Sequence, residues 1–163
     1  MILNTEQVMQ ILPHRDPFLF IDSVESVSIP GRTLAPGKIV DIKEIVDSVV
    51  VAHYRTKKDH AIFKGHFPDF PILPGVVQVE MMAQATSFVV YLIHKNPTEM
   101  KMDVALLAIT EAKFRKPVLP EMDLKLVTRV LKLRGPIITS ECKLYHNDQL
   151  MSEATVMASL KMQ

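Results

Sequence analysis

Two rhythms of apolar and polar positions run along this chain: one long helical stretch, set among strand-like segments. Over 74–94, apolar side chains fall on nearly every side of a helical projection, as they do in a helix buried all round. The polar exceptions are ordered. Glu80, Gln84, Ser87 and Tyr91 follow at spacings of four, three and four, which makes one stripe on one face. A half-wet groove, a subunit contact and the polar wall of a binding tunnel all fit such a stripe. Asn96-Pro97 ends the helix.

The rest of the pattern is mostly β. Segments 18–27, 49–56, 103–112, 124–133, 137–145 and 150–161 carry the β-branched and apolar residues of strands. Turn signals at Arg134-Gly135-Pro136 and Asn147-Asp148 join the last three into an antiparallel meander. Thr5 is the expected N-cap of a short helix through Ile11, stopped by Pro13. Ile29-Pro30-Gly31 and Ala35-Pro36-Gly37 mark turns. Beyond them Ile39, Ile42, Ile45 and Val49 have helical spacing but strand-like side chains, so 30–48 reads as an extended strand–loop or an insertion. Lys57-Lys58-Asp59-His60 reads as a polar turn. One buried helix with a run of antiparallel strands is an α+β arrangement. No repeat or linker interrupts it, so 1–163 is expected to form one domain.

Composition narrows the class. With 48% hydrophobic and 23% charged residues the chain is globular rather than disordered. Its 163 residues can bury a core without staples. A net charge of +1 gives no bulk attraction to nucleic acid or to membranes. The single Cys142 cannot close an internal disulfide, which suits a reducing compartment. Residues 1–6 show no basic segment before an apolar stretch, so no signal peptide is expected and the expected location is the cytoplasm. The apolar run carries Gln78, Glu80 and Gln84, which suits a core helix rather than a membrane span.

Candidate chemistry gathers at the head of the long helix. Gly65-His66-Phe67-Pro68-Asp69-Phe70-Pro71-Ile72-Leu73-Pro74-Gly75-Val76 leads into it. Pro68, Pro71 and Pro74 each fix φ and push the preceding residue extended, so His66 sits on a rigid arm. Pro74 suits a first helical turn, where its missing N–H is no loss. Gly75 lets another backbone or a ligand come close, at a helix start that gathers free N–H groups and partial positive charge. Glu80 follows five residues later. Taken singly, a loop histidine is usually a surface residue, and a glutamate near a helix start a dipole partner. Their joint occurrence inside the proline frame points to catalysis.

This run, with Ala83-Gln84-Ala85, closely resembles the signature of the FabZ-type 3-hydroxyacyl-[acyl-carrier-protein] dehydratases. Leu12-Pro13-His14-Arg15-Asp16-Pro17-Phe18-Leu19 is similar to that family's N-terminal motif, and Glu111-Ala112-Lys113-Phe114-Arg115-Lys116-Pro117-Val118 to its later strand and turn. The three stand in family order. The resemblance implies the hotdog fold, an antiparallel sheet wrapped around a long central helix. It implies dehydration of (3R)-3-hydroxyacyl-[acyl-carrier-protein] to the trans-2-enoyl thioester in fatty acid biosynthesis, without a cofactor. The implied partners are acyl carrier protein, carrying the substrate on phosphopantetheine, and further copies of the chain, as a dimer or a trimer of dimers. His66 and Glu80 become catalytic and Gly75 a backbone donor. In this family the two side chains meet across a dimer interface. Phe67, Pro74, Val76, Met81 and Gln84 are the expected substrate contacts.

The reaction needs a base for the α-proton, a donor for the thioester oxyanion and a partner for the poor leaving group. His66 and Gly75 suit the first two roles. Glu80 suits the third, holding or protonating the departing hydroxyl if its surroundings keep it protonated; the alternative is a histidine that works alone, with the glutamate only orienting water.

The other candidates are weaker. Pro13-His14-Arg15 is expected to pack and hydrogen-bond against the central helix, in a structural rather than a catalytic role. His53, His60, His94, His146 and Cys142 show no ligand spacing, so no metal is expected. Lys113, Arg115, Lys116, Arg129, Lys132 and Arg134 are candidate docking charges for an acidic carrier protein. The chain departs from the family at Asp59-His60, Leu106-Leu107, Ala108-Ile109-Thr110 and Pro120-Glu121-Met122-Asp123, none of which touches the His66–Glu80 pair. The rivals are a FabA-type dehydratase that also isomerises, a hotdog thioesterase and a non-catalytic acyl-carrier binding protein. The proline-framed His66 speaks against the thioesterase.

Overall fold

The computed structural model describes residues 1–35, 37–99 and 102–162, so Pro36 of the expected Ala35-Pro36-Gly37 turn lies outside the described residues. Six antiparallel strands make one sheet: β1 (Ser23–Ser28), β2 (Val49–Arg55), β3 (Met102–Phe114), β4 (Asp123–Arg134), β5 (Ile137–His146) and β6 (Gln149–Met162), in the order β1-β2-β4-β5-β6-β3. Among the described residues three α-helices accompany it: α1 (Thr5–Ile11), α2 (Ile62–Gly65) and α3 (Gly75–Thr86). The sheet curls around α3, which packs on β2 through β6, the expected hotdog arrangement.

Strand alternation drives that packing. Leu124, Leu126, Leu144, Cys142, Ala154 and Val156 point inward and meet Val77, Val79, Met81, Met82, Ala85 and Phe88 of the central helix. The Asn147-Asp148 turn has both residues at positive φ, 47° and 59°, as a tight hairpin demands. Burial pushes the Cys142 thiol up, helped by the charge of Glu141, so it packs as a small apolar residue.

Several boundaries differ from expectation. The cap of α1 is Asn4, not Thr5: Asn4 Oδ1 accepts from the Gln7 amide and Gln7 Oε1 from the Asn4 amide, both at 3.0 Å. Thr5 instead donates to the Asp22 carbonyl. The first strand starts at Ser23, and the segment before it is an extended arm laid on the central helix. The polar turn at 57–60 leads into α2, a short helix the sequence pattern did not suggest. Among its described residues, segment 30–48 contains no strand. Its one regular element is a 3-10 turn, Ile42–Ile45, capped by Asp41. The segment covers the tail of the central helix, where Ile29, Val40 and Ile45 pack on Val89 and Leu92.

That tail is not α-helical. After Thr86, whose hydroxyl donates back to the Ala83 carbonyl at 2.7 Å, the chain continues as a 3-10 helix over Ser87–Leu92. A 3-10 helix turns about 120° per residue against about 100° for an α-helix, so the polar stripe breaks. Glu80, Gln84 and Ser87 line one cavity, and Tyr91 lines another.

Candidate active site

The arm carrying His66 is held by its own backbone. The amide of Phe67 and the carbonyl of Phe70 pair at 3.1 Å, as do the amide of Phe70 and the carbonyl of Phe67. The Ile72 amide donates to the His66 carbonyl at 2.9 Å, and the Leu73 amide to Val118 at 2.7 Å. The His66–Phe67 peptide is cis, and the two rings stack with centroids 4.2 Å apart. His66 Nδ1 lies 3.0 Å from the Ile72 carbonyl oxygen. A carbonyl can only accept, so Nδ1 carries the hydrogen and the neutral ring keeps its lone pair on Nε2.

Pro74 is the N-cap of α3 rather than a first-turn residue, and its carbonyl accepts from Val77 and Gln78. Gly75 is therefore the first residue of the helix, where its N–H has no intrahelical acceptor. His66, Gly75, Val76, Gln78 and Phe114 line one cavity of about 490 Å³, with Arg115 and Lys116 beside it. A Cβ on Gly75 would lie 2.8 Å from the Phe114 ring, so glycine is what lets that ring approach the helix start.

Glu80 is elsewhere. It lines a second cavity of about 70 Å³ with His14, Gln84, Ser87, Val104 and Leu106. Glu80 Oε1 lies 3.3 Å from His14 Nε2 and accepts from Gln84 Nε2 at 2.9 Å. Burial alone would raise the Glu80 carboxyl, but the hydrogen bonds from His14 and Gln84 and the charge of His14 outweigh it, leaving the carboxyl below its ordinary value. Within one chain these contacts therefore favour the ionised form of Glu80.

Of the expected substrate contacts, Val76 lines the His66 cavity, Phe67 stacks on the imidazole, and Pro74 caps the helix. Met81 is wholly buried in the core with Met82 and lines neither cavity. Gln84 is a brace. Its carbonyl accepts from Phe20 N at 2.9 Å, and its amide donates to Phe18 O and to Glu80. Of the docking charges, Arg115 pairs with Glu153 and Arg129 with Asp47. The sequence placed His14 in polar contact with the central helix, and its partner there is Glu80. The Ile72 carbonyl that orients His66 has no signal in residue type.

The FabA-like domain family matches residues 12–155. The chain is 34% identical over 163 residues to the 3-hydroxyacyl-[acyl-carrier-protein] dehydratase FabZ of Sulfurovum sp. (strain NBC37-1), covering 98% of each. It is 36% identical over 137 residues to the FabZ dehydratase of Clostridium perfringens (strain SM101 / Type A), covering 83% of each. Among solved structures, the dehydratase heterocomplex ApeI:P from Xenorhabdus doucetiae has a similar fold, with a TM-score of 0.68 at 16% identity over 94% of this chain and 90% of that one. No helix among the described residues is long and apolar enough to cross a membrane. The identity to the curated dehydratases runs nearly from end to end, and the fold agrees, so this chain belongs to the FabZ-type 3-hydroxyacyl-[acyl-carrier-protein] dehydratases of the FabA-like family.

Proposed function

We propose that two copies of this chain together build one dehydration site, with His66 and Gly75 of one copy facing Glu80 of the other. The observation that carries this reading is their separation within one chain: His66 and Gly75 line one cavity, Glu80 lines another, and the two share no lining residue. Strand β3 spans the interval. Val104 and Leu106 line the Glu80 cavity from the first half of the strand, and Phe114 lines the His66 cavity from its last residue. β3 is also an edge of the sheet, and its Leu106, Leu107, Ile109 and Phe114 are 41% to 51% exposed. Natural proteins cover long apolar edges of this kind. Antiparallel pairing of β3 with its copy, about a two-fold axis near Ile109 and Thr110, covers this one. The same pairing sets Phe114 of one copy beside Leu106 of the other, and so the two half-sites side by side.

The reaction is removal of water from 3-hydroxyacyl-[acyl-carrier-protein] in fatty acid biosynthesis. His66 Nε2 takes the α-proton. The Gly75 N–H donates to the thioester oxygen as charge develops there, an interaction worth roughly 3 kcal/mol in other enzymes. The Cα–Cβ double bond forms as the Cβ–O bond breaks. Ionised Glu80 accepts a hydrogen bond from the departing hydroxyl, which keeps its hydrogen, and His66 returns the proton it took to the hydroxyl oxygen, so water leaves and both side chains end as they began. Arg115 and Lys116, beside the His66 cavity, suit the approach of an acidic acyl carrier protein. The chain works as a single domain, in the cytoplasm.

The test gives purified protein a 3-hydroxyacyl thioester and follows enoyl absorbance and free thiol together. Enoyl product without thiol, reduced about a thousandfold in His66→Ala, is expected. Thiol release would mean hydrolysis, and neither signal would mean binding only.

A further inference from the structure

We propose that His14 is a positioning residue for Glu80: together with Gln84 it fixes one oxygen of the carboxylate and leaves the other to meet substrate. The inference rests on reading Glu80 as part of the dehydration site. His14 Nε2 lies 3.3 Å from Glu80 Oε1, and Gln84 Nε2 donates to the same oxygen at 2.9 Å. The two donors come from different elements, the N-terminal arm and the central helix. Their convergence on Oε1 restrains rotation of the carboxylate, while neither reaches Oε2.

The arm is built to hold the ring there. Arg15 Nη1 donates to the carbonyls of His14 at 2.7 Å and Leu12 at 2.9 Å, and Nη2 to that of Met9 at 3.0 Å. The backbone at His14 is thereby tied to the end of α1. The imidazole stacks on Phe18 at 6.4 Å between centroids, and the Phe18 carbonyl accepts from Gln84. One amide, Gln84, thus holds both the arm and the carboxylate that the arm addresses.

A second observation is the other ring nitrogen. His14 Nδ1 is buried and has no hydrogen-bond partner among the described residues. The other nitrogen, Nε2, is the one aimed at the carboxylate. The rest of the cavity is inert: Ala83 and Ser87 from the central helix, Val104 and Leu106 from β3, and Ala158 from β6 do not titrate. Among the described residues His14 is the titrating group that faces Glu80. In the proposed assembly, His66 of the second copy is another.

The test follows the Glu80 carboxyl by carbon NMR titration of the intact oligomer, with and without His66→Ala so that the second imidazole can be subtracted. His14→Phe keeps a ring but removes the donor, and His14→Gln restores an N–H at similar reach. The titration of Glu80 is expected to move up in His14→Phe and less in His14→Gln. In turnover, kcat is expected to fall about tenfold in His14→Phe with KM little changed, and to recover most of that loss in His14→Gln. An unmoved Glu80 titration in folded His14→Phe protein overturns the proposal, as does an equal loss of kcat in both variants. The titration needs no substrate, so it decides the role of His14 even if the wild-type protein formed no enoyl product, a result that would count against the functional reading instead.

Discussion

Glu80 is pulled in two directions, since burial raises its carboxyl and the His14 and Gln84 hydrogen bonds lower it further than burial lifts it. The net direction has a consequence for stability. A carboxyl that ionises more readily folded than unfolded stabilises the fold fully above its unfolded value. That contribution disappears as pH falls through the lower folded value. Wild-type protein should therefore lose stability relative to Glu80→Gln as pH drops below the ordinary value of 4.5. Urea unfolding across that range, at fixed protein concentration, measures it. A difference that does not vary with pH would mean that the carboxylate is not held by its neighbours. Gly75 shows another residue-scale constraint. It was expected to admit a ligand or backbone, and the nearest neighbour its missing side chain admits is the ring of Phe114.

The arm at 18–22 and the central helix are joined through Gln84, which answers Phe20 N, Phe18 O and Glu80 at once. Gln84→Met fills the same space with no polar atom able to replace these bonds. It should cost about 2 kcal/mol in urea unfolding, because a buried donor and acceptor are left without partners. The stripe of Glu80, Gln84 and Ser87 was legible in the sequence because α-helical spacing brings those positions together. Tyr91 departs from it because the helix tightens after Thr86, and single-residue propensities do not report that change. The strands and the hairpin at Asn147-Asp148 were legible for the same kind of local reason. The start of β1 was not: Phe18 to Ile21 have strand-like residue types, yet the partners of Phe18 and Phe20 lie on a helix more than sixty residues away. The Asn4 cap was displaced by one residue because Gln7 completes a reciprocal pair with Asn4, while Thr5 finds Asp22.

At the scale of the molecule, one chain holds two separate cavities, one lined by His66 and Gly75 and one by Glu80, and an exposed apolar edge strand that reaches both. The proline frame made His66 and Gly75 readable as neighbours, because both lie on one short rigid stretch of chain. The position of Glu80 relative to them was not readable from spacing, since a separation of five residues along a helix start says nothing of a second copy. The most direct test mixes two inactive variants, His66→Ala and Glu80→Gln, and lets their subunits exchange. Random exchange makes half the dimers mixed, each with one intact site, so about a quarter of wild-type kcat should return. If mixed dimers form and no activity returns, the site is not shared between copies.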